Sequence, residues 1–574
     1  MRNTAHRTTV WLFIIALVLV TACSAKDSNE PSSSGSANPP ASTEASGDGE
    51  SASESNANSD GSEPYLAKYD PPIEITTVRP IDDTVKFMEG QTIDNNLWTE
   101  LLQERLGINM KYDWVGNGDQ FEQKMNVSIA SGALPQFIPV NAKQLQQLQE
   151  AGELEDLTAA YEQYASPFLK EILTQDGPAS LAAATFDGKL MAIPNTNSSM
   201  DTSPILWIRQ DWLDKLGLQP PRTMADVLAI SEAFTTRDPD GNGKADTYGL
   251  ALNKDLYNGF ADTVGFMNGY HAYPGQWIKD DDGTIVYGSI QPEMRTALAA
   301  LQELYKKGQI DREFGVKDGG KEGELLAAGK IGMEYGLMWN PLWPIIDSKK
   351  NEPDAEWQAF PLVSVDERPV TPQVSFATHQ YFAVKKGSAN PEALVKMINL
   401  FVEIGWGETS TLELYNAYFT GDGFEKFKLM PFQAWPARNN VDLYQHVAAA
   451  VDSNDPSQLN PQEKDIFDKV MAYANGSSTD PEHWAYAQVF GKESAYTVID
   501  QYVTSNSLKM PEFYGSPTPT MVEKESNLKN REFETFTKII MGDPIESFDK
   551  FVAEWKKLGG DAITEEVNDW AKNK

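Results

Sequence analysis

Asp238, Asp240, Asn242 and Asp246 crowd one short glycine-containing loop, two residues apart and then four. That spacing matches positions 1, 3, 5 and 9 of a calcium-binding loop, in which a hard cation takes six to eight oxygens. Gly243 stands at position 6, where such a loop turns sharply, and the carbonyl of Lys244 would supply position 7. Position 12, a bidentate Glu in a complete EF-hand, is Gly249 here. The bidentate ligand must then come from Asp246 or from elsewhere. Three carboxylates this close repel one another unless a cation lies between them. The expected chemistry is structural Ca²⁺ held by Asp238, Asp240, Asn242, the Lys244 carbonyl and Asp246. The alternative is an Asx- and glycine-rich turn whose carboxylates are solvated.

The elements leading into the loop are legible in the same stretch, residues 206–250. An apolar run over 205–208 reads as a buried strand. Asp211 and Trp212 open a short helix that stops at Gly217, a residue suited to the left-handed cap position. Pro220 and Pro221 bar a helix there. Thr223 with Asp226 forms a capping-box pattern, and Met224, Val227, Ile230 and Phe234 follow at helical spacing.

The run containing DWLDKLGL, then Pro221 and Thr223, then DPDGNGKADTYG resembles the core signature of extracellular solute-binding lipoproteins of bacterial ABC importers. The similarity is to the oligosaccharide-binding, maltose-binding-like branch (family 1). WIKDDDGTIVYGSIQPEM, LYKKGQIDREF, YFAVKKGSANPEALVKMIN, FYGSPTPTM and FDKFVAEWKKLGGDAITEEVNDW extend it over nearly all of 65–574. The resemblance implies a two-lobed α/β fold of the periplasmic-binding-protein type, class II. Its lobes would be discontinuous in sequence, joined by crossing strands, with the ligand in a central cleft. It also implies a structural calcium on the 238–246 loop, in the lobe behind the cleft. By the same comparison Trp339, at the end of the run GKIGMEYGLMW, is the expected main sugar-stacking platform. The usual Gly-Pro before that Trp is replaced by Leu337-Met338. Cleft loops are expected at Asn95 and Asn96, at Asn141, and over Asn195, Asn197 and Ser198. Tyr514 and Thr518 are expected on another rim, with Trp277 as a further candidate.

The start of the chain carries an address. Arg2, His6 and Arg7 precede an apolar segment over 10–20, too short to span a membrane. Val20-Thr21-Ala22-Cys23 then matches a lipobox, and Cys23, the single cysteine, is the expected lipidated N-terminus. A lone thiol forms no internal disulfide and no cysteine metal cluster. Residues 24–64 are almost entirely small or polar and cannot bury a core. As a flexible tether they would span roughly 35 Å on average.

The net charge is −35, and removal of 1–22 takes away two arginines and no acid. Such a chain is a poor partner for nucleic acid or for an anionic lipid surface. The 14 Trp and 21 Tyr provide material for a sugar site. Past the tether, strand and helix patterns alternate from residue 71, which predicts an α/β lobe with a mainly parallel sheet. The signature opens a second alternating lobe, and 373–384 reads as a strand returning to the first. The expected division is a signal peptide at 1–22, lipidated Cys and disordered linker at 23–64 and first lobe at 65–200. The second lobe follows at 201–375, a return to the first lobe at 376–430, and a helical remainder at 431–574, mostly in the second lobe.

Catalytic motifs are absent from the pattern. His6, His271, His379, His446 and His483 are scattered, with no HExxH and no G-x-S-x-G elbow. Residues 315–321 approach a phosphate loop, but Glu322 replaces its Ser/Thr. The reading is a non-enzymatic, membrane-tethered binding protein, monomeric, on the outer face of the cell membrane. It captures an oligosaccharide and delivers it to an ABC permease. A surface-anchored glycoside-cleaving enzyme and an oligopeptide-binding lipoprotein are the alternatives.

Overall fold

The computed structural model describes residues 64–81, 85–421 and 424–572. Cys23, the expected signal segment and nearly all of the expected tether lie outside these residues. Among the described residues a five-stranded and a three-stranded sheet organise the fold beside three two-stranded hairpins; one core packs on the first sheet and two cores flank the second.

The first sheet has five strands in the order Ile108–Gly116, Ile73–Pro80, Phe137–Val140, Tyr381–Val384 and Ala192–Pro194. The first three are parallel, as the alternating pattern predicts. Their crossovers are helices: Leu97–Leu106 begins at the buried cap Asn96, whose Oδ1 accepts from the N–H of Trp98 and Thr99. It ends at Gly107, where φ is +68° and a Cβ would lie 2.4 Å from the carbonyl oxygen of Tyr69. Only glycine satisfies both conditions. Tyr381–Val384 runs antiparallel to both neighbours, since it re-enters from the other lobe. It is shorter than the expected 373–384. Residues 373–380 instead cross between the lobes, Val374 N–H bonding to Lys509 O and Ser375 N–H to Thr202 Oγ1.

The second sheet, in the lobe expected to alternate strand and helix, is not parallel like the first. Its order is Met333–Gly336, Ile205–Arg209, Trp357–Phe360, and both pairings are antiparallel. Strand and helix do alternate along the sequence here, but more than a hundred residues separate Arg209 from Met333, so alternation does not dictate which strands pair. Ile205–Arg209 is buried throughout, and its side chains alternate between two cores, as a strand requires. Leu206 and Ile208 join Met224, Phe234 and Leu298 of helices Met224–Thr236 and Pro292–Lys306. Ile205 and Trp207 face a second core built from Asn439–Ser453, Pro461–Ala474, Pro481–Phe490 and Ala495–Thr504. Each large side chain buried this way contributes about 1.5–3 kcal/mol.

The C-terminal helices Pro519–Ile540, Glu546–Trp555 and Asp561–Lys572 also pack on the second lobe, through Phe536, Phe551 and Val567. The breaks near 542–544 and at Gly559 fall where the glycines predict them, although the first of these helices starts well before the expected residue 533. The first core holds residues from 75–193 and from 381–434. The expected boundary at 430 therefore comes early, because Phe432 and Ala434 are fully buried in the first core. Among the described residues no helix is long and apolar enough to cross a membrane.

Candidate functional site

A cavity of about 810 Å³ opens between the two lobes. Ala142 and Tyr381 line it from the first lobe, Thr378 from the crossing segment, and Gly259, Asp262 and Leu337 from the second lobe. Ala142 is there because Asn141 ends a strand and caps the next helix, so the first helical turn faces the gap. The crossing segment adds Phe376, and the segment before the C-terminal helices adds Phe513 and Tyr514.

Aromatic faces and fixed polar groups alternate on these walls. Phe376 and Tyr514 lie 5.7 Å apart at 32°, and Tyr257 and Phe533 5.0 Å apart at 46°. Tyr257 also meets Glu532, whose buried carboxylate accepts three hydrogen bonds. Its Oε1 accepts from Tyr257 OH at 2.8 Å and Ser289 Oγ at 2.7 Å, and its Oε2 from Tyr287 OH at 2.9 Å. Burial pushes the Glu532 carboxyl up, against the pull of the three donors. Asp262 is held by the N–H groups of Gly259 and Val264 at 2.8 and 2.9 Å, and burial raises it to about 7. Behind it Glu334 accepts from Ala261 N–H and Asn340 Nδ2, and burial raises it to about 8, with Asp262 adding to the shift. The geometry suits a neutral polyhydroxyl ligand: flat apolar faces to stack on and a few rigid polar partners.

Of the residues singled out from the sequence, Trp277 and Tyr514 meet in this cavity. Thr518 caps helix Pro519–Ile540 and lines an adjoining cavity together with Tyr514. Asn96 does not reach the cleft, because its side chain is consumed in capping, and Asn95 is exposed outside the cavity lining. Asn141 is likewise a cap, bonded to Glu122 at 3.2 Å. Asn195 borders a separate cavity of about 140 Å³ beside Arg79 and Gln380. Asn197 is exposed and accepts from Ser198 N–H, and Ser198 is buried; neither lines the main cavity. Trp339 is also absent from the lining. Its ring stacks on Trp343, centroids 6.1 Å apart, beside the Gly259 turn. Tyr257, Phe376, Phe533 and Glu532 carry much of the cavity and escaped the sequence reading. They sit on three distant segments with no motif, so only the fold brings them together.

The 238–246 loop follows helix Met224–Thr236 as expected. Asp238 has φ +51° and its Oδ2 accepts from Gly243 N–H at 3.0 Å, while its Oδ1 is buried without a partner. Asn242 Nδ2 donates to Asp240 at 2.6 Å and to Asp246 at 3.0 Å. Lys330 Nζ lies 3.4 Å from Asp240 and 2.8 Å from Asp246. Lys330 and Asn242 thus each bridge Asp240 and Asp246, and among the described residues no three carboxylate, imidazole or thiol groups form a metal-holding cluster.

The model of the bacterial extracellular solute-binding proteins matches residues 87–403. The chain belongs to that family. Its members are binding proteins rather than enzymes. Lipoprotein LipO of Bacillus subtilis is 25% identical over 500 residues, covering 85% of this chain and 92% of LipO. An HMO-binding, ABC-transporter-associated solute-binding protein of Bifidobacterium longum infantis superposes with a TM-score of 0.63 at 17% identity, over 87% of this chain and 98% of its own. An EF-hand mutant of the substrate-binding protein FusA of Streptococcus pneumoniae, in complex with fructo-nystose, superposes at 0.58 with 16% identity, over 88% of this chain and 100% of its own. These likenesses establish the two-lobed fold.

Proposed function

We propose that this protein captures an oligosaccharide in the interlobe cleft and delivers it to the permease of an ABC transporter, held at the outer face of the membrane by a lipid on Cys23. The cavity carries the reading: its aromatic walls and its few rigidly held polar groups suit hydroxyl-rich rings. Relatives named for an HMO and for fructo-nystose support the sugar class. LipO, named as a lipoprotein, supports the anchor.

Ca²⁺ fits the loop as a structural ion. Asp238, Asp240, Asn242, the Lys244 carbonyl and Asp246 would hold it, and the unpartnered Asp238 Oδ1 supplies a ready ligand. When bound, the ion neutralises acids that otherwise repel. The relative described as an EF-hand mutant supports this assignment.

Calorimetric titration with oligosaccharide and oligopeptide panels, with product analysis after long incubation, tests the reading. Tight sugar binding without cleavage is expected. Cleavage of the sugar, or binding confined to peptides, would overturn it.

A further inference from the structure

A second cavity, about 710 Å³, adjoins the first and shares Tyr514, Gly515 and Pro517 with it. Its far walls are Gln146, Gln149 and the 182–187 hairpin region of the first lobe, and Glu566, Asp569 and Trp570 of the last helix. Three rings connect the two spaces. Phe376 faces the main cavity, Tyr514 faces both, and Trp570 faces the second; Tyr514 and Trp570 are 5.1 Å apart at 88°. Each cavity alone has the volume of an ordinary small-ligand site. A ligand confined to one would leave the other aromatic wall unused.

The charges of the walls are equally one-sided. The second cavity is lined by Asp187, Glu566 and Asp569, with no Arg, Lys or His among the described lining residues. In the main cavity the basic lining groups are Lys529, which pairs with Glu525 at 3.0 Å, and His379, whose burial favours the neutral ring. An anionic sugar would need an arginine or lysine fork for its carboxylate and would meet acids instead. Nor do the acids call for a cation. Glu566 accepts from Thr520 Oγ1 at 2.7 Å, Asp569 pairs with Lys572 at 2.9 Å, Glu532 accepts from three hydroxyl groups and Asp262 from two backbone N–H groups.

We infer that the ligand is an uncharged oligosaccharide chain long enough to run along Phe376, Tyr514 and Trp570 from the main cavity into the second. This rests on the oligosaccharide reading above. Titration of the full chain with neutral xylo-, malto- and fructo-oligosaccharides, oligogalacturonides and glucosamine oligomers, each from dimer to hexamer, tests it. Affinity should rise about tenfold or more from the shortest to the longest chain of one neutral series. Trp570→Ala should remove about tenfold from the long chain and nothing from the short one. Because Trp570 packs against Phe513 and Tyr514, a second variant avoids that packing. Ala182→Tyr, at an exposed wall position, should narrow the second cavity and give the same selective loss. If no series binds, the oligosaccharide reading falls and the inference with it. If neutral chains bind but length and both variants leave affinity unchanged, or if a charged series binds more tightly, this inference alone falls.

Discussion

Lys330 places its ammonium 2.8 Å from the carboxylate of Asp246, inside the loop whose residue spacing calls for calcium. The ammonium does part of what the ion would do. It holds Asp246 below the usual carboxylate range, while Asp246 in turn raises Lys330. The two cations compete for the same acids, so a bound ion requires Lys330 to withdraw.

Calcium removal should therefore destabilise the protein without unfolding it. An ion that binds only the folded chain stabilises it by about 2.7 kcal/mol at a hundredfold excess over Kd. Chelator should lower the Tm, and Asp240→Ala should abolish the response. Lys330→Met should enlarge it, since the metal-free loop then lacks its substitute charge. An unchanged Tm on chelation, in protein shown by elemental analysis to start with metal, would sink the assignment.

Cys23→Ala should release the protein from the membrane or leave its leader uncleaved. Cell fractionation with intact-mass measurement reads this directly. A variant that stays membrane-bound at the mature lipidated mass would show that the anchor lies elsewhere.

Several buried carboxyls set the pH response. Burial lifts Glu334 from its ordinary 4.5 to about 8 and Asp262 from 3.8 to about 7. Between the two values of each group, the folded chain holds a proton that the unfolded chain has released. Stability is therefore greatest in mild acid and falls as pH climbs through about 7 to 8. Glu322, raised to about 8 by burial, acts in the same direction. The Tm should be higher near pH 5.5 than near pH 8.5, and Glu334→Gln, which cannot ionise, should flatten the difference. A wild-type Tm that rises across this window would contradict the account.

What the sequence disclosed depended on how local the signal was. The capping box of Thr223 and Asp226, the left-handed Gly217 and the break at Gly559 are settled by neighbours a few residues away, and the structure holds all three. The antiparallel second sheet was not legible. Ile205–Arg209 pairs with strands far along the chain, and period-two burial says nothing about direction. Asn96 and Asn141, expected at the cleft from the resemblance, show another limit: the unsatisfied N–H groups of the helix that each precedes claim its side-chain oxygen.

The aromatic platform separates two arrangements of the bound sugar. Tyr514 stands on the cavity wall, half-buried between Phe376 and Trp570, whereas Trp339 stacks on Trp343 off that wall. A lost stacking contact of about 1–2 kcal/mol weakens binding tenfold or more. Tyr514→Ala should raise the Kd for the cognate sugar by about that factor, with a Tm close to wild type, because the ring contributes little to either main core. Trp339→Ala should change Kd less than Tyr514→Ala, since its ring meets Trp343 before it meets the cavity. The reverse order of effects would move the sugar to the Trp339–Trp343 face. A Tyr514 variant that unfolds readily would make that ring part of the fold instead of the site.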